Sequence, residues 1–179
     1  MEPQDIFLGH QVLGALFSAA HKIRTRGDEY LQELSLRQMM VMAALIHLPE
    51  EEATINHIAR MLGTTKQSAK QVIDILEKKQ YCKVSPNKRD KRALNVTITP
   101  LGEEINRKCG ERFNAFTTDV FDTYTREDLE LLIALLQKLR GGPPSGFVDN
   151  MRPYTSAPAT PAEHDMPHDG TERNQNHEF

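Results

Sequence analysis

Between Thr54 and Leu76 the sequence carries two apolar stripes of helical period with a glycine between them. Ile55, Ile58, Ala59 and Leu62 recur at i, i+3, i+4 and i+7; after Gly63 the stripe resumes with Ala69, Val72, Ile73 and Leu76. Thr54 offers a hydroxyl to the first free N–H groups of the first segment. "TTKQ", Thr64 to Gln67, reads as a capping box that starts the second segment at once. Two short helices joined by a tight glycine-containing turn make a helix-turn-helix unit. The second segment leaves Lys66, Gln67, Lys70 and Gln71 on its outer face.

The next twenty residues restrict the chain further. "YCKVS" (Tyr81–Ser85) and "ALNVTIT" (Ala93–Thr99) alternate apolar and polar residues in the strand sense. The turn between them crowds Lys88, Arg89, Lys91 and Arg92 around Asp90, which is expected to pair with Arg92 or Lys91. A helix-turn-helix followed by a two-stranded hairpin is a winged helix. Around it the pattern predicts four more helices. One runs from Asp5 to about Arg26 on the stripe Leu13, Leu16, Phe17, Ala20, Ile23. Another opens at the capping box "SLRQ" (Ser35–Gln38) and runs to about Leu48, apolar nearly all round and hence buried. A long helix is capped by Thr99 with Pro100 in its first turn, and a last one is capped by Thr125.

The formal net charge is −3, which by itself argues against a polyanion-binding chain. Its distribution argues the other way. Residues 141–179 carry −4, leaving +1 on residues 1–140, and residues 64–92 hold nine Lys or Arg against Asp74, Glu77 and Asp90, a local +6. Like charges crowded at a hairpin tip repel one another, and a phosphate backbone would relieve that repulsion while releasing its counterions. An arginine at such a tip also suits a minor groove. A basic turn alone is more often a solvated surface feature. Placed directly after a helix-turn-helix with a Lys/Gln outer face, it points to DNA.

These residues resemble the MarR family of bacterial winged-helix regulators. The likeness rests on "LGTTKQSAKQVIDILEKKQY", on the wing "NKRDKR" and on "NVTITPLGEEI". Its most specific part is Asp90-x-Arg92 followed by an alternating strand that ends in Thr99-x-x-Gly102. It covers roughly residues 5–140. The resemblance implies a homodimer, binding to double-stranded DNA at a pseudo-palindromic operator, and often a small ligand or oxidant that releases the DNA. It places Lys66, Gln67, Ser68, Lys70 and Gln71 on a DNA-reading helix and Arg89 and Arg92 on the wing; Thr65 at the start of that helix and Lys88 and Lys91 at the charged turn complete the expected DNA-binding residues. The family usually has glycine where this chain has Gln80; a glycine there accepts the left-handed conformation that closes a helix. The acidic stretch 141–179 is also outside the common pattern.

Other chemistry finds little in the sequence. There is no nucleophile elbow, phosphate loop or paired-carboxylate pattern, so an enzyme is not expected. His10, His21, His47 and His57 are scattered, and His164 and His168 fall in the polar tail, so neither a metal nor another cofactor is expected. Cys82 and Cys109 read as buried, inert thiols; Lys79 and Lys83 make Cys82 the better candidate for a reactive one. Phe17, Met39, Met42 and Phe113 are candidates to line an effector pocket where the terminal helices meet the winged helix, with ordinary core packing as the alternative. No apolar run approaches the about 20 residues that span a bilayer, and the methionine content with no signal segment fits a reducing cytoplasm.

The expected architecture is therefore mainly α with a small β-hairpin wing. Residues 1–34 form an N-terminal dimerisation helix, 35–99 a winged helix-turn-helix, and 100–140 C-terminal dimerisation helices. Residues 141–179, with six prolines and few large apolar residues, form an acidic tail expected to stay disordered. The expected function is a sequence-specific DNA-binding transcriptional regulator, a repressor released by a small ligand or other signal. The rival from another class is a winged helix used as a protein-interaction module. That would more often expose an apolar patch where this chain has Lys and Gln.

Overall fold

The computed structural model describes residues 2–87 and 92–141. In chain order these form α1 (Pro3–Leu31), α2 (Leu36–His47), a 3-10 turn (Glu50–Glu52), α3 (Ile55–Met61), α4 (Lys66–Lys78), β1 (Cys82–Pro86), β2 (Leu94–Ile98), α5 (Pro100–Phe121) and α6 (Arg126–Arg140). The fold is mainly helical with one antiparallel hairpin, a winged helix flanked by long helices. The hairpin pairs Cys82 with Ile98 and Val84 with Val96.

The core forms around α2. Met39, Val41, Met42, Ala43, Ala44 and Leu45 are all buried, and Ile58, Ala59, Ala69, Ile73, Leu76 and Val96 close over them. Ser35 caps α2 through a full capping box with Gln38, so the helix starts where its first buried turn is needed.

The turn of the helix-turn-helix has a specific closure. Gly63 adopts φ +60°. Its N–H donates to the Arg60 carbonyl at 3.2 Å, and the Thr64 N–H donates to the Ala59 carbonyl at 2.9 Å. Those bonds make a Schellman ending for α3. Because Thr64 is used there, the cap of α4 falls one residue later than the "TTKQ" pattern predicts: Thr65 Oγ1 accepts from the Ser68 N–H at 3.1 Å.

The end of α4 repeats this closure with the wrong residue type. Gln80 sits at φ +62°. Its N–H bonds to the Glu77 carbonyl and that of Tyr81 to the Leu76 carbonyl, each at 2.9 Å. The helix therefore closes as a glycine would close it, on a side chain that finds this conformation strained.

The Thr99-x-x-Gly102 motif explains how α5 leaves the wing. Thr99 Oγ1 donates to the Gln80 carbonyl at 2.6 Å and accepts from the Gly102 N–H at 3.0 Å. A Cβ on Gly102 would lie 1.9 Å from the Tyr81 carbonyl oxygen, so only glycine lets the first turn of α5 rest on the α4–β1 turn.

α1 outruns its predicted end at Arg26 by five residues, to Leu31. Tertiary contacts extend it. Gly27 packs on Leu36, Leu31 is fully buried, and Tyr30 stacks against Phe116 of α5 at a centroid distance of 5.5 Å. Asp119 of α5 accepts from Tyr30 Oη at 2.7 Å and pairs with Arg26. The first half of α1 and all of α6 differ in kind: no residue of α6 is buried, and Ile6, Phe7, Leu8, Leu13, Leu131, Ile133, Leu135 and Leu139 stand exposed. Residues 142–179, the acidic tail of the sequence, lie outside the described residues.

Candidate nucleic-acid interface

The candidate interface is built on α4, a strongly two-faced helix. Its inner stripe, Ala69, Val72, Ile73 and Leu76, is buried against α2 and α3. That fixes the rotation of the helix and turns Lys66, Gln67, Lys70 and Gln71 to solvent. Thr65 and Ser68 sit at its start, joined by the capping bond. Of the cations, Lys70 is engaged: its Nζ donates to both oxygens of Asp74 one turn on, at 2.7 and 2.9 Å.

Arg92 lies exposed at the descending stem of the wing. Lys88, Arg89 and Lys91, the other wing residues expected to meet DNA, lie outside the described residues, as does Asp90 with its expected pairing. The stems themselves are well held. Glu77 of α4 accepts from the Val84 N–H of β1 at 2.8 Å. On the other side the Val96 N–H of β2 donates to the Ala53 carbonyl at 2.8 Å, extending the hairpin onto the segment before α3.

Two asparagines reinforce this second attachment, and sequence reasoning missed both. Asn87 and Asn95 are buried. Asn87 Nδ2 donates to Asn95 Oδ1 at 2.7 Å and to the Glu51 carbonyl at 3.1 Å, and Asn95 Nδ2 donates to the Glu50 carbonyl at 2.8 Å. The only sequence signal was Asn95 itself, a polar residue ahead of the apolar Val96 in a strand whose inward face was unassigned.

Three of the four pocket candidates belong to or pack on one core cluster, and the fourth stands apart from it. Met39 and Met42 are fully buried in the core, Phe113 packs on its edge, and Phe17 is 78 % exposed on α1. Within one chain, then, Met39 and Met42 serve as core. An open cleft of about 520 Å³ lies elsewhere, lined by Arg24, Thr25, Asp28, Glu29, Ser35 and Arg37.

The thiol expectation divides. Cys82 and Cys109 are both buried. Burial pushes the Cys82 thiol up to about 12, with Glu77 and Asp74 adding to the effect. The lysines beside it in sequence, Lys79 and Lys83, do not activate it: Lys79 reaches away to the Glu33 carbonyl and to Gln38, and Lys83 is exposed. Burial likewise raises the Cys109 thiol. Among the described residues no group of three or more His, Cys, Asp or Glu is placed to hold a metal ion, and no helix is long and apolar enough to cross a membrane.

A second polar cluster joins α1 to the rest. Glu33, in the link to α2, pairs with Lys108 and Arg112 of α5. Arg112 also donates to the Leu31 carbonyl at 3.3 Å, and Lys79, at the end of α4, to that of Glu33 at 2.8 Å. The Lys108 hydrogen bond holds the Glu33 carboxyl below its usual range.

Residues 32–93, from this link through α2, α3, α4 and β1, match the model of the MarR family. Over that stretch the chain is similar to the MarR family. It is 32 % identical over 82 residues to the uncharacterized HTH-type transcriptional regulator YwaE of Bacillus subtilis, a match that covers 46 % of this chain and about half, 48 %, of that relative. Its fold is shared with S. aureus MepR, solved in complex with DNA. The TM-score is 0.64 at 21 % identity, over 70 % of this chain and 94 % of that one. It is shared also with PcaV of Streptomyces coelicolor, solved with its natural ligand: TM-score 0.62 at 16 % identity, over 71 % and 88 % of the two chains.

Proposed function

We propose that the chain is a dimeric, sequence-specific DNA-binding transcriptional regulator of the cytoplasm, acting as a repressor that a small ligand or another signal releases. One observation carries this: the buried stripe of α4 leaves a row of Lys and Gln side chains outward beside a wing braced against the same helix. Gln can bond the adenine edge and Lys the guanine edge in a major groove, and the wing cations suit phosphates. The family match and the MepR–DNA complex support it. The ligand-bound PcaV supports an effector. The family and the relatives named are regulators of transcription rather than enzymes.

The exposed apolar side chains of α1 and α6 support the dimer. Helices 1–34 and 100–140 of two copies would cover one another and set two recognition helices at half-sites about 34 Å apart. The stretch 35–99 then reads DNA, and 141–179 is an acidic appendage that weakens non-specific binding.

The test is a salt series on an operator selected from a random duplex library and on random duplex. Gln71→Ala should weaken the operator complex by about 1–3 kcal/mol and leave random DNA nearly unchanged. Arg92→Ala should weaken both and lower the salt slope by about one per lost phosphate contact. Equal losses on both DNAs for both variants would refute the division of labour. No salt-dependent binding by the unaltered chain would refute DNA recognition and leave the interaction-module alternative.

A further inference from the structure

The wing of a winged helix is useful only if its angle to the recognition helix is fixed, because the phosphates that it must meet stand at a set distance from the groove. In this chain the backbone ladder alone does not fix that angle. A two-stranded hairpin is marginal by itself. β1 and β2 are each five residues long, and among the described residues no third strand joins them beyond the single bridge of Asn95 to Thr54.

We propose that Asn87 and Asn95 are positioning residues for DNA binding: a buried amide clasp that locks the wing to the turn before α3 and so sets its angle to α4. This rests on the DNA-binding function proposed above. Asn87 directly follows β1 and Asn95 is the second residue of β2, so their mutual bond links the two stems near the tip. Among the described residues, each also bonds a carbonyl of the 3-10 turn, that of Glu51 for Asn87 and that of Glu50 for Asn95. That turn leads through Thr54, the cap of α3, into the helix that packs on α4. Asn87 also donates its backbone N–H to the Ala93 carbonyl at 3.0 Å, closing the loop at its neck.

The chemistry of the site favours this role over plain core packing. Two buried amides are costly unless satisfied, and an apolar pair would fill the same space without that demand. What the amides add is direction. Hydrogen bonds to two successive carbonyls permit one orientation of the hairpin, whereas apolar contact permits sliding. Glu77, bonded to the Val84 N–H, holds the opposite stem from α4 itself. The wing is thus held from both sides, and the asparagine side adds a side-chain bond between the two stems to their backbone ladder.

The experiment has two arms. Nitroxides at Arg92→Cys and Lys66→Cys report the distance from wing to recognition helix by pulsed electron spin resonance, with and without Asn95→Ala. Unlabelled Asn95→Ala and the double variant Asn87→Leu/Asn95→Leu are titrated with salt on operator and random duplex. The double variant removes both amides at similar volume, so it keeps the test valid should the single variant fold poorly. Expected are a broadened distance distribution, a salt slope lower by about one in both variants, and an unchanged preference for operator over random DNA. An unchanged distance distribution would overturn the clasp. A broadened distribution with unaltered salt slopes would overturn its role in DNA binding. If the unaltered chain binds no DNA, the proposed function falls and the positioning role with it, while the distances still report whether the clasp holds the wing.

Discussion

Lys70 and Asp74 face each other one turn apart on the outer surface of α4, the ammonium bonded to both carboxylate oxygens. Half-exposed pairs of this kind contribute little to stability, of the order of 0.3–0.5 kcal/mol. Their consequence lies in binding. A Lys70 that turns to DNA must leave Asp74, which then faces the phosphates as a bare anion. Asp74→Asn should therefore tighten binding to every duplex by about threefold to tenfold at low salt, with the gain shrinking as salt rises, and should shift the melting temperature hardly at all. Fluorescence anisotropy at two ionic strengths checks this; unchanged affinity would show that Lys70 does not take part.

The two ends of the α4–β1–α5 junction should respond to opposite substitutions. Gln80→Gly relieves a left-handed conformation and should stabilise the chain by about 0.5–1 kcal/mol, net of the greater freedom of glycine in the unfolded state. Gly102→Ala should destabilise it by about 3 kcal/mol or more, since the new methyl meets a backbone carbonyl that only moves with the helix. Urea denaturation of both variants measures the two effects against one baseline.

Glu33 should give the fold an acid-sensitive component. Its folded-state value is lowered, first by the Lys108 hydrogen bond, so its contribution is fully present above the unfolded glutamate value of about 4.3 and declines as pH falls toward and through the lower folded value. Glu33→Gln should cost about 1 kcal/mol near pH 7, as expected of a partly exposed ion cluster, and progressively less below pH 4. A cost that is the same at pH 7 and pH 3 would mean that the charge is immaterial.

Cys82 should behave as an apolar side chain. With its thiol raised to about 12 by burial, it should resist iodoacetamide in the folded protein at pH 8 and react at the ordinary rate once denatured. Mass spectrometry of the alkylated peptide follows both conditions. Rapid labelling of the native chain would contradict the burial.

The exposed faces of α1 and α6 should lose solvent on association. Leu135→Lys, at a residue 55 % exposed in the single chain, should weaken dimerisation by tenfold or more, on the basis of about 1.5–3 kcal/mol for burying a leucine. Sedimentation equilibrium gives the constant. Far-ultraviolet circular dichroism should show helix loss on dissociation, because no residue of α6 is fully buried in the single chain and an isolated helix of 15 residues is marginal in water.

Much of the candidate interface's geometry was legible in the sequence because it depends on local rules. The stripe Ala69, Val72, Ile73, Leu76 decides which way α4 faces, and that alone turns Gln67 and Gln71 outward. Thr54, Ser35, Thr99 and Thr125 announce helix starts because a cap acts within three residues of itself. The same locality explains the misses. The predicted end of α1 at Arg26 followed the stripe, whereas the helix is carried to Leu31 by Phe116 and Asp119, about ninety residues on. The lysines flanking Cys82 were near it in number and not in effect.

By itself, then, the sequence determined the order of the elements, the two-faced character of α4 and the alternation of the wing strands, all set by periodicity and capping over a few residues. Tertiary structure decided what holds those elements at fixed angles. It put Asn95 against the Glu50 carbonyl 45 residues away, Arg112 against the Leu31 carbonyl 81 away, and Gly102 under the Tyr81 carbonyl. A hydrogen bond or a close backbone approach of this kind has no period to betray it. It exists only once the core has brought distant segments within about 3 Å, where each partner becomes costly to leave unmet.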